Sequence, residues 1–300
     1  MRALAAGTAA GGLAAFWGAA ALANDLLGQP TPGGWDLQPG VTQLRDDAIW
    51  FHNIILMPII TAISLLVLGL LIIVMVRFNK RANPTPAKWS HNTPIEIAWT
   101  IVPVLILVVI SVFSFQLLFR YHDFPKADVT VKATGYQWYW GYEYPDENVG
   151  EFISNMLPEA QAKAKNVPYR LAATEPLVIP VRKNVKVIIT GADVIHAFAV
   201  PAFGVIADAV PGRLNEVWFN AKQTGVYYGQ CRELCGVDHA FMPIEVHVVT
   251  QGEYEAWVTS KGGGAKPAAP AAAAVLTPVA TAPTSAPTPA PAPAAAPAAN

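Results

Sequence analysis

Two thiols, an imidazole and a thioether are packed between positions 231 and 242, in Gly229-Gln230-Cys231-Arg232-Glu233-Leu234-Cys235-Gly236-Val237-Asp238-His239-Ala240-Phe241-Met242-Pro243. Soft thiolate and thioether donors together favour copper, while imidazole suits copper or zinc. A second imidazole stands upstream at His196, in Asp193-Val194-Ile195-His196-Ala197-Phe198. The candidate metal set is therefore His196, Cys231, Cys235, His239 and Met242. Three other readings use the same residues. A disulfide between Cys231 and Cys235 leaves the spacing of histidine and methionine unexplained. A Cys2His2 zinc site has the four strong donors, but His196 lies upstream of both cysteines, unlike the usual paired intervals. Cysteines and histidines can also be ordinary buried residues. With only two cysteines in the chain, a multi-bridge disulfide framework is excluded.

The elements that must carry these residues are legible in the hydropathy pattern. Of 300 residues 53% are hydrophobic and 14% charged, a balance that leans toward a membrane protein. Two charge-free runs, 54–76 and 97–119, are each long enough to cross a hydrocarbon core of about 30 Å. Pro58 and Pro103 inside them are tolerable in bilayer helices. Arg77, Lys80, Arg81 and Lys88 lie between the runs, with no acid before Glu96, which places the short loop in the cytoplasm and both flanks outside. Residues 1–23 have the order of a secretory signal ending in Ala21-Leu22-Ala23, and 24–47 read as an extended periplasmic segment, so the transmembrane hairpin is 48–120. The outer domain, 121–261, holds short β-type runs at 129–133, 177–181, 185–190, 216–219, 226–229 and 244–249, spaced as in an all-β sandwich or barrel. Residues 151–170 read as a loop or short inserted helix. Residues 262–300 are almost wholly Ala, Pro, Gly, Thr and Ser and read as a disordered tail.

The pattern C-x-E-L-C-G-x-x-H-x-x-M-P, preceded by D-V-I-H, resembles the copper A motif of cytochrome c oxidase subunit II. The resemblance covers residues 50–257. It implies an N-terminal two-helix transmembrane hairpin followed by an all-β Greek-key cupredoxin-like domain. It also implies a dinuclear copper A centre in which Cys231 and Cys235 bridge two copper ions, His196 and His239 are terminal ligands, Met242 is a weak axial ligand and the backbone carbonyl of Glu233 is the other. The Glu233 side chain would bind a magnesium ion shared with subunit I. Two coppers sharing two thiolates delocalise one electron, which suits fast one-electron transfer, with the potential tuned by the axial ligand and the hydrogen bonds around sulfur.

Further residues acquire roles through the same resemblance. Gly135-Tyr136-Gln137-Trp138-Tyr139-Trp140-Gly141-Tyr142-Glu143-Tyr144 matches the family's aromatic segment, in which Trp138 receives electrons from cytochrome c. Strand alternation would put Trp138, Trp140, Tyr142 and Tyr144 on one face. Glu143, Asp146, Glu147, Glu151 and Asp193 would form an acidic surface that steers a basic cytochrome c. Asp208 and Arg213 would contact waters or haem propionates at subunit I, or else form a turn-stabilising ion pair. Glu96 would take up protons on the cytoplasmic side, or simply start a helix. His52, His91, His122 and His247 are isolated and read as structural or solvated. Two departures from the family stand out: Arg232 where serine is common, and Ile206 before Ala207-Asp208. No C-x-x-C-H occurs, so the chain carries no haem of its own. The expected partners are subunit I and other oxidase subunits, cytochrome c and the lipid bilayer, with no nucleic acid. The expected site is a bacterial inner membrane, with both termini and the copper domain periplasmic. A metal-free module like quinol oxidase subunit II would lack these ligands. Nitrous oxide reductase shares the copper motif but lacks the hairpin.

Overall fold

The computed structural model describes residues 27–34 and 36–264; the expected signal peptide and all but the first residues of the expected tail lie outside that range. Two long helices come first, α1 (Gln43–Arg77) and α2 (Thr93–His122). No residue of Met57–Arg77 or of α2 is buried within the chain, and many of their Leu, Ile, Val and Phe side chains are exposed. Helix α1 begins well before the apolar run at Ile54, and the extended segment therefore ends at Thr42, not at residue 47. Thr42 caps it by accepting from Arg45 N at 3.1 Å. The charges of this first part, Asp46 and Asp47, interrupt the apolar pattern that marks the rest of the helix. They pair with Lys222 and Arg120. Phe51–Leu56 winds as a wider π-helical stretch just ahead of Pro58. A proline ring clashes with the carbonyl four residues back, and widening the preceding turn relieves that clash.

The outer domain is a β-sandwich of ten strands: β1 (Val129–Tyr136), β2 (Tyr139–Tyr144), β3 (Val149–Ser154), β4 (Leu177–Pro180), β5 (Val185–Gly191), β6 (His196–Val200), β7 (Val205–Ala209), β8 (Asn215–Phe219), β9 (Gly225–Gln230) and β10 (Pro243–Val249). They form a five-stranded sheet in the order β3-β2-β1-β5-β8, a three-stranded sheet β4-β10-β9 and the pair β6-β7. Pairs β1/β5 and β4/β10 are parallel and the others antiparallel. Alternation is cleanest in β5, where Val185, Val187 and Ile189 are buried and the residues between them are not. These side chains meet Leu177, Ile179, Ile244 and Val246 from the facing sheet in one core.

Four elements differ from the sequence expectation. Residues 151–154 belong to β3, so the insertion begins only at Asn155, and its helix α3 covers Glu159–Lys165. Strands β6 and β7 were not anticipated. Helix α4 (Gln251–Ser260) follows β10 and opens with a capping box between Thr250 and Glu253. The start of α1 is clasped to the sandwich: Thr42 Oγ1 donates to Phe203 O at 2.8 Å, and Val41 exchanges backbone bonds with Ala202 and Lys222.

Candidate metal centre

Four segments converge at one end of the sandwich. His196 is the first residue of β6. Cys231 directly follows β9, Met242 directly precedes β10, and the loop between them contains Cys235 and the short helical turn His239–Phe241. Strand β9 reaches β6 because position 229 is glycine: a Cβ there would strike Ala199 O. Gly135 of β1 makes room for the His196 ring in the same way, since a Cβ would lie 2.8 Å from a ring carbon. Arg232 N donates to Ala197 O at 3.2 Å and ties the loop to β6.

The donor atoms are close but unbonded. Cys231 Sγ and Cys235 Sγ are 3.9 Å apart and both residues are free thiols, which leaves the disulfide reading without support here. Cys231 Sγ lies 4.0 Å from His196 Nδ1, and Cys235 Sγ lies 3.5 Å from His239 Nδ1. Met242 Sδ is 3.5 Å from Cys235 Sγ, and the Glu233 carbonyl is 3.2 Å from Cys231 Sγ. His196, Cys231, Cys235 and Met242 are all buried. Donors bound to a common ion at about 2.0–2.3 Å can stand no more than roughly 4.6 Å apart, so each neighbouring pair fits a shared metal. The two imidazoles sit against different thiols.

The surroundings prepare the donors. His196 Nε2 is 2.8 Å from Asp193 Oδ1, while Asp193 Oδ2 accepts from Gln137 N at 2.7 Å. An Nε2–H donated to Asp193 leaves the lone pair on Nδ1, which faces Cys231. Burial alone would lower the His196 pKa, but its bonds to Cys231 and Asp193 raise it above the usual imidazole value. For Asp193, burial raises the pKa, and the bonds from His196, Val194 N and Gln137 N outweigh it and hold the carboxyl low. Burial likewise pushes the Cys231 thiol up, yet hydrogen bonding with His196 and the local backbone brings it down to about 7. Burial and the charge of Cys231 push Cys235 up to about 12. Two thiolates side by side repel, and a cation between them removes that penalty.

A family model described as the periplasmic domain of cytochrome c oxidase subunit II matches residues 129–249, and one described as its transmembrane domain matches residues 30–117. The chain belongs to the cytochrome c oxidase subunit II family. It is 46% identical over 276 residues to cytochrome c oxidase subunit 2 of Cereibacter sphaeroides, covering 86% of this chain and 90% of that one. A probable cytochrome c oxidase subunit 2 of Rickettsia bellii is 47% identical over 233 residues, covering 78% and 86%. Among solved structures, the periplasmic domain of subunit II of the cytochrome oxidase of Bradyrhizobium japonicum is 56% identical, with a TM-score of 0.43, over 46% of this chain and 96% of that one. As a member of that family the chain is a membrane protein and a component of an oxidoreductase, cytochrome c oxidase.

The remaining candidates of this subunit II are placed as follows. Trp138 is not on the aromatic strand. It occupies the turn between β1 and β2, so the alternation holds only for Trp140, Tyr142 and Tyr144, all fully buried. From that turn Trp138 Nε1 and Gln137 Nε2 both donate to Cys235 O, at 3.1 and 2.8 Å. The acids do not form one uniform surface. Glu143 pairs with Lys132 across the strands at 3.1 Å. Glu147 is partly buried against Tyr254, whose hydroxyl donates to it at 2.9 Å, and its second oxygen is buried without a partner. Glu151 accepts from Tyr136, Asp146 is exposed, and Asp193 is engaged with His196. Asp208 and Arg213 are both exposed and form no ion pair with each other; Asp208 O accepts from Asn215 Nδ2 at 2.7 Å. Glu96 lies in the first turn of α2 and accepts from Asn92 N at 3.0 Å, a helix-start bond. Glu233 is exposed beside the thiols, and Ile206 is exposed on β7. His52 bonds Asn53, His122 bonds Leu118 O and His247 bonds Glu245, while His91 is exposed. Sequence reasoning missed Gln137 and the role of Asp193 toward His196; the D-x-x-H interval was the available signal for the second.

Proposed function

We infer that this chain accepts single electrons from cytochrome c at a dinuclear copper A centre and passes them to haem in subunit I, where the complex reduces oxygen to water and pumps protons. The observation that carries this is the paired arrangement of donors. Two buried thiols 3.9 Å apart have one imidazole nitrogen each, at 4.0 and 3.5 Å, on different sulfurs. A single tetrahedral zinc gathers its ligands around one point; imidazoles assigned to separate thiols suit two ions bridged by both sulfurs. The centre supplies one-electron transfer with the electron shared between two coppers. The chain's own residues hold Cys231, Cys235, His196, His239, Met242 and the Glu233 carbonyl on strands and a tethered loop, so both redox states keep nearly one geometry.

Trp138 is the point where electrons arrive: it lies on the surface turn and touches the carbonyl of Cys235. The acids Asp146 and Glu151, both exposed, with Glu143 and Glu147 beside them, attract a basic cytochrome c, and Asp193 adds to the same field. The exposed Glu233 carboxylate is suited to magnesium at subunit I, with Asp208 and Arg213 reaching waters or propionates there. Glu96 takes up protons from the cytoplasm. The basic loop of Arg77, Lys80, Arg81 and Lys88 supports an inner-membrane orientation with the sandwich in the periplasm. The test is rapid mixing of reduced cytochrome c with an oxidase containing this chain. The near-infrared and visible bands of a copper–thiolate centre should bleach before any haem is reduced; haem reduction with no earlier bleaching overturns the reading.

A further inference from the structure

The insertion between β3 and β4 reaches back to the ligand loop through one side chain. The Arg170 guanidinium lies over two rings, 5.5 Å from the centre of that of Tyr169 and 5.2 Å from that of Phe241. Phe241 sits between His239 and Met242, on the second limb of the loop. Arg170 also accepts Gln230 Nε2 on its carbonyl at 3.4 Å, next to Cys231. Its backbone is left-handed, with φ 71°, a conformation that a non-glycine residue adopts at a cost. The insertion itself is pinned to the strands that carry the loop: the buried Glu245 of β10 accepts from Ala173 N at 2.6 Å, and Leu157, Ala162 and Ala172 pack on Tyr228 of β9. The first limb is otherwise secured, by Arg232 N on Ala197 O and by Gln137 and Trp138 on Cys235 O. Among the described residues, the side-chain contact that bears on Phe241 from outside the loop with a cation is Arg170.

We propose that Arg170 is a positioning residue, a cation–π clamp by which the insertion holds the His239–Met242 limb in place against the thiols. The clamp rests on the copper reading for its purpose, but its mechanical part does not depend on metal. It predicts that the two limbs of the loop respond differently to one substitution.

The test is hydrogen exchange followed by mass spectrometry on the full chain in detergent, first without metal and then with copper. A cation over a ring at a partly exposed site contributes enough that Arg170→Ala should speed exchange at 239–242 by about two- to fivefold. Exchange at 196–200 and in β10 should stay at the parent rate. Phe241→Leu should reproduce the effect, and the double variant should be no worse than either single one, because both remove the same contact. Arg170→Lys should restore part of the protection, whereas Arg170→Gly, which relieves the backbone but removes the guanidinium, should not. With copper bound, Arg170→Ala should shift the reduction potential while two coppers remain bound. Parent-level exchange at 239–242 in Arg170→Ala, equal loosening of the whole sandwich, or full protection in Arg170→Gly would each overturn the clamp. Failure to bind two coppers in the parent chain would count against the copper reading and leave the metal-free exchange result to judge the clamp.

Discussion

Replacing Asp193 by asparagine tests how the site prepares His196. The ring is fully buried, and its Nε2 has one partner, Asp193 Oδ1 at 2.8 Å. A hydrogen bond to a charged group contributes about 1.5–3 kcal/mol. Asp193 keeps 34% of its side chain exposed, so solvent screening favours the lower end. At about 1.36 kcal/mol per factor of ten, that is roughly a tenfold loss of copper affinity. The same size is typical when the outer partner of a metal-binding histidine is lost. Asparagine is neutral, so even where its one acceptor oxygen stays on His196 the charge assistance of the bond is lost. The assay is competitive copper titration with a calibrated chelator, alongside melting of the metal-free chain. Affinity down about tenfold, with the metal-free melting temperature nearly unchanged, supports the account. An affinity within twofold of the parent would refute the reasoning that Asp193 orients the ligand.

Gly135→Ala places a Cβ against the His196 ring and should weaken copper binding more than it lowers stability, the overpacking cost being about 1–3 kcal/mol; titration and melting of the same sample check it. Met242→Leu keeps the buried volume, at a cost under about 1.5 kcal/mol, and should retain copper with an altered potential, whereas Cys231→Ser should lose the paired centre; copper analysis and potentiometry separate them. Burial raises the Glu147 pKa, against the Tyr254 bond that lowers it. Stability from this group is therefore complete below the ordinary carboxylate range and is lost as pH rises through the raised value, so Glu147→Gln should melt higher than the parent at neutral pH and flatten the fall in stability as pH rises out of the carboxylate range. Trp138→Leu should slow electron transfer within the bound cytochrome c complex and leave the salt dependence of association unchanged. Neutralising Asp146 and Glu151 should do the reverse, since screening acts over about 8 Å; stopped-flow across a salt series reads both.

How much of this was legible depended on whether a feature was local. The donor set is largely a short motif, and in the structure Cys231, Cys235, His239, Met242 and the distant His196 lie close to one another. Both membrane helices were visible because lipid demands uninterrupted apolar length. Strand β5 was visible through its alternation. Strand β6 was not, because His-Ala-Phe-Ala-Val is buried on both faces and has no period-two pattern. Trp138 was misplaced because the two-residue turn at Gln137–Trp138 interrupts the strand whose parity was extended through it. The α4 start carries a local sequence signal, Thr250 followed by Glu253. The pairing of Glu143 with Lys132, of Glu147 with Tyr254 and of Arg170 with Phe241 depends on register and on long-range packing, and no window of sequence contains it.

The central claim is that two coppers share the thiols of Cys231 and Cys235. Its most direct test is metal analysis and EPR on the full chain loaded with copper in detergent. The account predicts two coppers per chain and a mixed-valence spectrum whose unpaired electron couples equally to both nuclei. One bound zinc, or the spectrum of a single isolated copper, would contradict it.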